Sequence, residues 1–243
     1  MLAFIGGTGL TRIPGLNVSE RRQVGTRWGK ASSDVVFGEL AGQPVLFLAR
    51  HGDPHVLLPH QVNYRANIAA LKEAGATAVI AINAVGGISP AADSGVIVVP
   101  DQIIDYTHGR DATYFDQGQT PVVHVDFSWP FDAPLRERVV AALKKVDGPY
   151  VDGGCYGATQ GPRLETAAEI RRLEQDGCTI VGMTGMPEAV LARELALPYA
   201  MLSLVVNPAA GKVDREITMA EIEAVIHQGM GKVADALVAL LTS

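Results

Sequence analysis

The chain has 243 residues, 48% apolar and only 19% charged, a balance that excludes a disordered chain and implies a large buried core. Asp and Glu number 26 against 20 for Lys and Arg, so the formal net charge is −6, which argues against a nucleic-acid or membrane-surface footprint. No repeat, low-complexity tract or Pro/Ser-rich linker divides the chain, and a single domain over residues 1–243 is expected.

Leu2 to Ile5 reads as a strand running into Gly6-Gly7-Thr8-Gly9. Its start lacks the basic flank of a signal peptide, and no apolar run approaches the roughly 20 residues that span a bilayer, so a soluble, cytoplasmic protein is expected. Val35 to Leu40 and Val45 to Ala49 flank Ala41-Gly42-Gln43-Pro44, a hairpin pattern that makes the sheet mixed. From Pro59 to Glu73 the apolar residues fall at helical spacing, Gly75 is a stop, and Thr77 to Ile82 is a buried strand ending at Asn83-Ala84-Val85-Gly86-Gly87. Residues 101–134 have weak periodicity and are expected to be irregular with a strand or two. Thr166 with Glu169 forms a capping box for a helix that Gly177 stops, and Thr179 to Met183 is the next strand. Pro187 starts a helix ending near Ala196, and Tyr199 to Val206 is a further strand. Thr218 with Glu221 caps a last helix with an apolar stripe. The alternation of strands and helices gives an α/β class with a central mixed sheet flanked by helices. Cys155 and Cys178 have no metal or redox spacing and read as small core or near-core residues.

In open α/β sheets ligands gather at the carboxyl ends of strands. Four such ends carry small or polar residues: Gly6 to Gly9, Asn83 to Gly87, Met183-Thr184-Gly185 and Asn207 to Gly211. The first can close its backbone around an anion, with the Thr8 hydroxyl as donor, although it reads equally as a plain glycine turn. It lacks the Gly-Lys-Ser/Thr of a P-loop, and the third glycine of a dinucleotide fingerprint would fall on Arg12. Arg50-His51 follows a strand directly and suits a phosphate oxyanion, both side chains donating when His51 is protonated; a surface Arg with a structural His is the alternative. His51, His55 and His60 suggest a metal cluster only superficially, because Pro54 and Pro59 interrupt the helix that a two-His zinc motif needs. No metal is expected. Glu165 and Asn207 are each open to a bland reading, as a solvated carboxylate near a helix cap and as a turn-former before Pro208.

Taken in order, Phe4-Ile5-Gly6-Gly7-Thr8-Gly9-Leu10, Ala49-Arg50-His51-Gly52, Val62 to Ile68, Asn83 to Gly87, Gly161-Pro162-Arg163-Leu164-Glu165-Thr166 and Gly182 to Glu188 resemble the trimeric purine nucleoside phosphorylase and methylthioadenosine phosphorylase family over nearly the whole chain. The resemblance implies one α/β domain, a homotrimer, and phosphate as co-substrate with no metal or organic cofactor. Phosphate would attack the anomeric carbon of a purine nucleoside and release the base. Thr8, Arg50, His51, Asn83, Ala84 and Thr184 match phosphate-site positions. Met183, Asn207 and Ala209 match substrate-binding positions, with Met183 against the ribose.

In the methylthioadenosine branch an Asp stands at the position of Asn207. Here the Asn207 amide can donate to a 6-oxo group or N7, and Glu165 can accept the N1–H that only a 6-oxopurine carries. At the sugar end, inosine-specific relatives usually place a His where this chain has the stretch around Met219, a favourable neighbour for a thioether. The combination implies phosphorolysis of methylthioinosine, with inosine or guanosine, or methylthioadenosine, as alternatives. Hydrolysis and non-catalytic purine binding are the readings from other classes. Two departures from the family stand out: Asn83 replaces a common Thr, and Leu164 stands where an aromatic often stacks on the base. His124 is read either as reaching a neighbouring subunit's 5′ pocket or as a structural histidine in a loop.

Overall fold

The computed structural model describes residues 1–7, 9–10, 13–116, 118 and 121–242. In chain order the elements are β1 (Leu2–Gly6), β2 (Asn17–Arg22), β3 (Val35–Leu40), β4 (Gln43–Ala49), α1 (Tyr64–Glu73), β5 (Ala78–Gly87), β6 (Ile97–Val99), β7 (Gln102–Asp105), α2 (Ala133–Leu143), β8 (Tyr150–Asp152), β9 (Cys155–Ala158), α3 (Ala167–Gln175), β10 (Cys178–Gly182), α4 (Gly185–Glu194), β11 (Tyr199–Pro208) and α5 (Met219–Leu241).

The sheet is mixed, as the hairpin predicts. β1 runs parallel to β4 and β5, whereas β3 is antiparallel to β4, and β10 antiparallel to β5. Side chains alternate across it: Ala3 and Ile5 join a core with α1 and α4, while Phe4 joins the core that α2 and α5 cover on the other face. α5 is long and apolar enough to span a bilayer by length and composition, yet its Ile222, Ile226, Met230, Val233, Leu237 and Leu240 are buried in that second core.

The capping boxes are as read: Thr166 and Thr218 each accept from the backbone N–H three residues on, and Glu169 and Glu221 return the bond. Several boundaries differ. The stretch from Pro59 divides into a 3-10 turn, Pro59–Gln61, and α1, which Asn63 caps by accepting from Ala66 N–H. α4 is registered from Gly185, but Met186 is non-helical, so regular helix begins at Pro187 as expected. The sequence reading placed Asn83 to Gly87 and Asn207-Pro208 beyond strand ends. They lie within β5 and β11, because each pairs with the other along almost its whole length and the ladder satisfies their backbone groups.

That register creates the site. On one edge of β5, β1 pairs as far as Ile82 and β10 begins at Gly86, so Asn83 to Val85 have β11 on one side and neither strand on the other. β10 runs toward this break from the opposite direction and delivers Met183 and Thr184 into it.

Candidate active site

A cavity of about 390 Å³ opens at the break. Arg50, His51, Asn83, Ala84, Glu165, Met183, Thr184, Asn207, Ala209 and Met219 all line it, so ten sequence-selected residues from six separate segments converge. Thr8 lies outside the described residues. His124 is exposed in the irregular stretch before α2 and is not among the lining residues.

Arg50 follows β4 and is fully buried. Its Nε and Nη2 donate to the two carboxylate oxygens of Glu188 at 2.7 and 2.8 Å, and Nη1 donates to Ile82 O at 3.2 Å. Tyr199 Oη donates to Glu188 as well, at 2.8 Å. Burial opposes the charge of Arg50, but the adjoining Glu188 carboxylate outweighs it and holds the guanidinium above its ordinary pKa. Three of the five guanidinium N–H groups are therefore occupied inside the protein, and two remain for an anion. Gly7 makes room for this arrangement: a Cβ there would lie 2.8 Å from Arg50 Nη1. The Gly7 N–H itself donates to Ile82 O at 3.1 Å, so this glycine contributes space rather than a donor.

His51 is buried, with Nδ1 2.8 Å from Leu57 O. A carbonyl only accepts, so Nδ1 carries the proton and Nε2 holds the lone pair. Burial, then the neighbouring Arg50 charge, pulls the His51 pKa down to about 4. The ring is thus neutral at physiological pH, and the sequence expectation of two donors is corrected to one donor occupied by Leu57 and one acceptor. His55 stacks on it with ring centroids 4.6 Å apart. Thr184 Oγ1 donates to Asn83 Oδ1 at 3.1 Å, while the buried Asn83 Nδ2 has no hydrogen-bond partner among the described residues. A buried amide N–H with no partner is costly unless a ligand meets it, so Asn83 is a donor suited to an oxyanion.

Elsewhere in the lining, Glu165 Oε1 accepts from Thr159 Oγ1 at 2.6 Å. Asn207 Nδ2 donates to Pro208 O at 2.7 Å, which leaves one amide N–H and Oδ1 for a ligand. Val56, Leu58, Ile217, Met219, Ile222 and Ile226 give the cavity an apolar flank, to which Met219 contributes from the first turn of α5. Leu164, 44% exposed, lines the cavity without an aromatic ring to offer.

Sequence reasoning missed three residues that hold these groups in place. Glu188 is followed by Ala189, Val190, Leu191 and Ala192, and a carboxylate set against that apolar run was the available signal. Arg110, in the irregular stretch after β7, donates to the carbonyls of Met183 at 2.8 Å, Met186 at 2.6 Å and Gln160 at 2.9 Å, tying together the loops that carry Met183 and Glu165. Thr159, just past β9, is anchored by its backbone N–H to Gly182 O at 2.8 Å. Nothing local in the sequence marks the last two, because their partners lie far away along the chain.

An unpartnered buried amide N–H and two unused guanidinium N–H groups thus line one cavity with a carboxylate, a second amide and a group of apolar side chains. The chain belongs to the phosphorylase superfamily, whose pattern matches residues 2–242. It is 57% identical over 241 residues, covering 99% of this chain and 98% of the other, to a protein of Pseudomonas syringae pv. tomato named probable S-methyl-5′-thioinosine phosphorylase. It is also 42% identical to the 6-oxopurine nucleoside phosphorylase of Pyrococcus furiosus, covering 91% of this chain and 84% of that one. Among solved structures, the methylthioadenosine phosphorylase of Schistosoma mansoni in complex with adenine superposes with a TM-score of 0.93 at 30% identity, over 99% of this chain and 90% of that one.

Proposed function

We propose that this nucleoside phosphorylase cleaves S-methyl-5′-thioinosine, with inorganic phosphate displacing hypoxanthine from the anomeric carbon to give 5-methylthioribose 1-phosphate. The observation that carries the reading is that one cavity is lined both by the polar pair Glu165 and Asn207 and by apolar side chains that include Met219. Glu165 and Asn207 suit the N1–H and the 6-oxo or N7 positions of a hypoxanthine ring, and the apolar flank with Met219 suits a thioether. A 6-aminopurine would place its N1 lone pair against the Glu165 carboxylate, a mismatch of buried polar groups worth several kcal/mol.

In this reading the two remaining N–H groups of Arg50, the Asn83 amide, Thr184 and the Ala84 segment hold phosphate under the sugar, with Thr8 as a further hydroxyl donor. His51 Nε2 accepts from a protonated phosphate oxygen. Catalysis is then largely positioning of the nucleophile and electrostatic support for an oxocarbenium-like centre. Met183 lies against the ribose and Ala209 against the base, and together they exclude the water that would compete with phosphate. No metal or organic cofactor takes part. Three copies assemble, with His124 of one reaching the 5′ end of its neighbour's cavity, and the protein works in the cytoplasm.

The 6-oxopurine relative favours a second substrate, inosine or guanosine, and so does the 61% exposure of Met219, which leaves the 5′ end open in a single chain. The test is kcat/KM in phosphate buffer for methylthioinosine, methylthioadenosine and inosine. Preference for methylthioinosine is expected; preference for methylthioadenosine refutes the reading. Undiminished cleavage without phosphate would make the protein a hydrolase, and base binding with no cleavage would make it a binding protein.

A further inference from the structure

Glu165 stands between two cavities. One face meets the substrate cavity, and the other meets a groove of about 540 Å³ lined by Tyr106, Gln160, Arg172 and Thr159. Thr159 lines the groove and is not among the substrate cavity's lining residues, so it reaches a ligand only through Glu165. Its hydroxyl has one proton and two possible acceptors: Glu165 Oε1 at 2.6 Å and Gly182 O at 3.4 Å. The short, charge-assisted bond to Glu165 takes the proton. Its backbone N–H meanwhile fixes Thr159 to the end of β10, and Arg110 holds the Gln160 carbonyl that follows.

We infer that Thr159 is a positioning residue for base selection: by donating to Oε1 it fixes the orientation of the carboxylate and turns Oε2 toward the substrate cavity as an acceptor. This rests on the 6-oxopurine reading above. A fixed acceptor suits the N1–H of hypoxanthine and opposes the lone pair of adenine N1, which a rotated Glu165 could accommodate. Removing the hydroxyl lets Glu165 rotate. A hydrogen bond to a charged group is worth roughly 1.5–3 kcal/mol, which corresponds to a change of about tenfold to a hundredfold.

The experiment measures the ratio of kcat/KM for methylthioinosine to that for methylthioadenosine in the wild type, Thr159→Val, Thr159→Ser, Glu165→Gln and the double variant Thr159→Val/Glu165→Gln. Thr159→Val should lower the ratio about tenfold or more with the phosphate KM unchanged, and Thr159→Ser, which restores a hydroxyl, should recover it. In the Glu165→Gln background Thr159→Val should change the ratio less than twofold, because its effect runs through the carboxylate; a purely structural defect would persist there. A wild type that prefers methylthioinosine while Thr159→Val keeps that preference overturns the role of Thr159 alone. A wild type without the preference overturns the role and the substrate reading together. Should Thr159→Val not fold, Thr159→Ala carries the same test: a ratio about tenfold or more below wild type that shrinks to less than a twofold effect in the Glu165→Gln background supports the inference, and an unchanged ratio, or an equal drop in that background, overturns it.

Discussion

Replacing Glu188 with Gln should expose how the anion site is held. The Glu188 carboxylate accepts three hydrogen bonds, from Arg50 Nε at 2.7 Å, Arg50 Nη2 at 2.8 Å and Tyr199 Oη at 2.8 Å, in a place closed to solvent. Gln keeps the shape but turns one acceptor into a donor facing donors, and leaves the Arg50 charge buried without its counterion. Breaking a buried pair from one side costs about 3–5 kcal/mol. The isosteric change belongs at the lower end, so a loss of about 3 kcal/mol and a fall in Tm of roughly 6–12 °C are expected. Differential scanning fluorimetry with and without phosphate is the assay. Because the anion can supply the missing counter-charge, phosphate should raise the Tm of Glu188→Gln more than that of the wild type. The double variant Arg50→Met/Glu188→Leu, which removes both charges, should recover much of the stability while abolishing activity. A Glu188→Gln loss below about 1 kcal/mol, or a phosphate effect no larger than in the wild type, would refute the reasoning.

Asn207→Asp should move preference toward methylthioadenosine, since a protonated carboxyl donates to N7 without selecting a 6-oxo group; the three-substrate comparison checks it, and an unchanged ratio counts against a base-contact role. Met219→His should raise kcat/KM for inosine relative to methylthioinosine by about tenfold, roughly one hydrogen bond's worth. Stability should also depend on His51. The unfolded ring takes a proton near pH 6.5 and the folded one resists until about 4, so the contribution of the neutral ring is complete above 6.5 and drains as pH falls toward 4. The full difference is about 3 kcal/mol. Denaturant titrations at pH 7.5 and pH 4.5 should show a smaller acid loss for His51→Gln than for the wild type.

Elements with strong local signals were legible in the sequence. Thr166 with Glu169 and Thr218 with Glu221 fixed two helix starts within a residue, because a capping box is a reciprocal contact between near neighbours. β2 was missed: its Asn-Val-Ser-Glu-Arg-Arg is exposed throughout, and only pairing with β3 makes it a strand. α2 was missed as well: it starts at the end of the weakly periodic 101–134 stretch and runs past it to Leu143, although Asp132 caps it and Pro134 lies in its first turn. The short β6, β8 and β9 depend on neighbours for their existence. At the site, residue types pointed to groups that line the cavity, whereas Glu188, Arg110 and Thr159 act on other protein groups brought near only by folding. The length of β5 and β11 was underestimated for the same reason, since Asn and Gly look like strand breakers until a partner strand satisfies their backbone.

Arg50 is the only Lys or Arg among the described residues lining the cavity, and its charge is already answered by Glu188 from behind. In the proposed reading, a phosphate bound beside it would meet directed dipoles more than net positive charge, and so would keep much of its own negative field. The species best able to neutralise that field would be the cationic sugar that forms as the base departs. On that reading the ion pair turned inward would leave the ground-state complex under-compensated, and would reserve the strongest attraction in the cavity for the moment of bond cleavage.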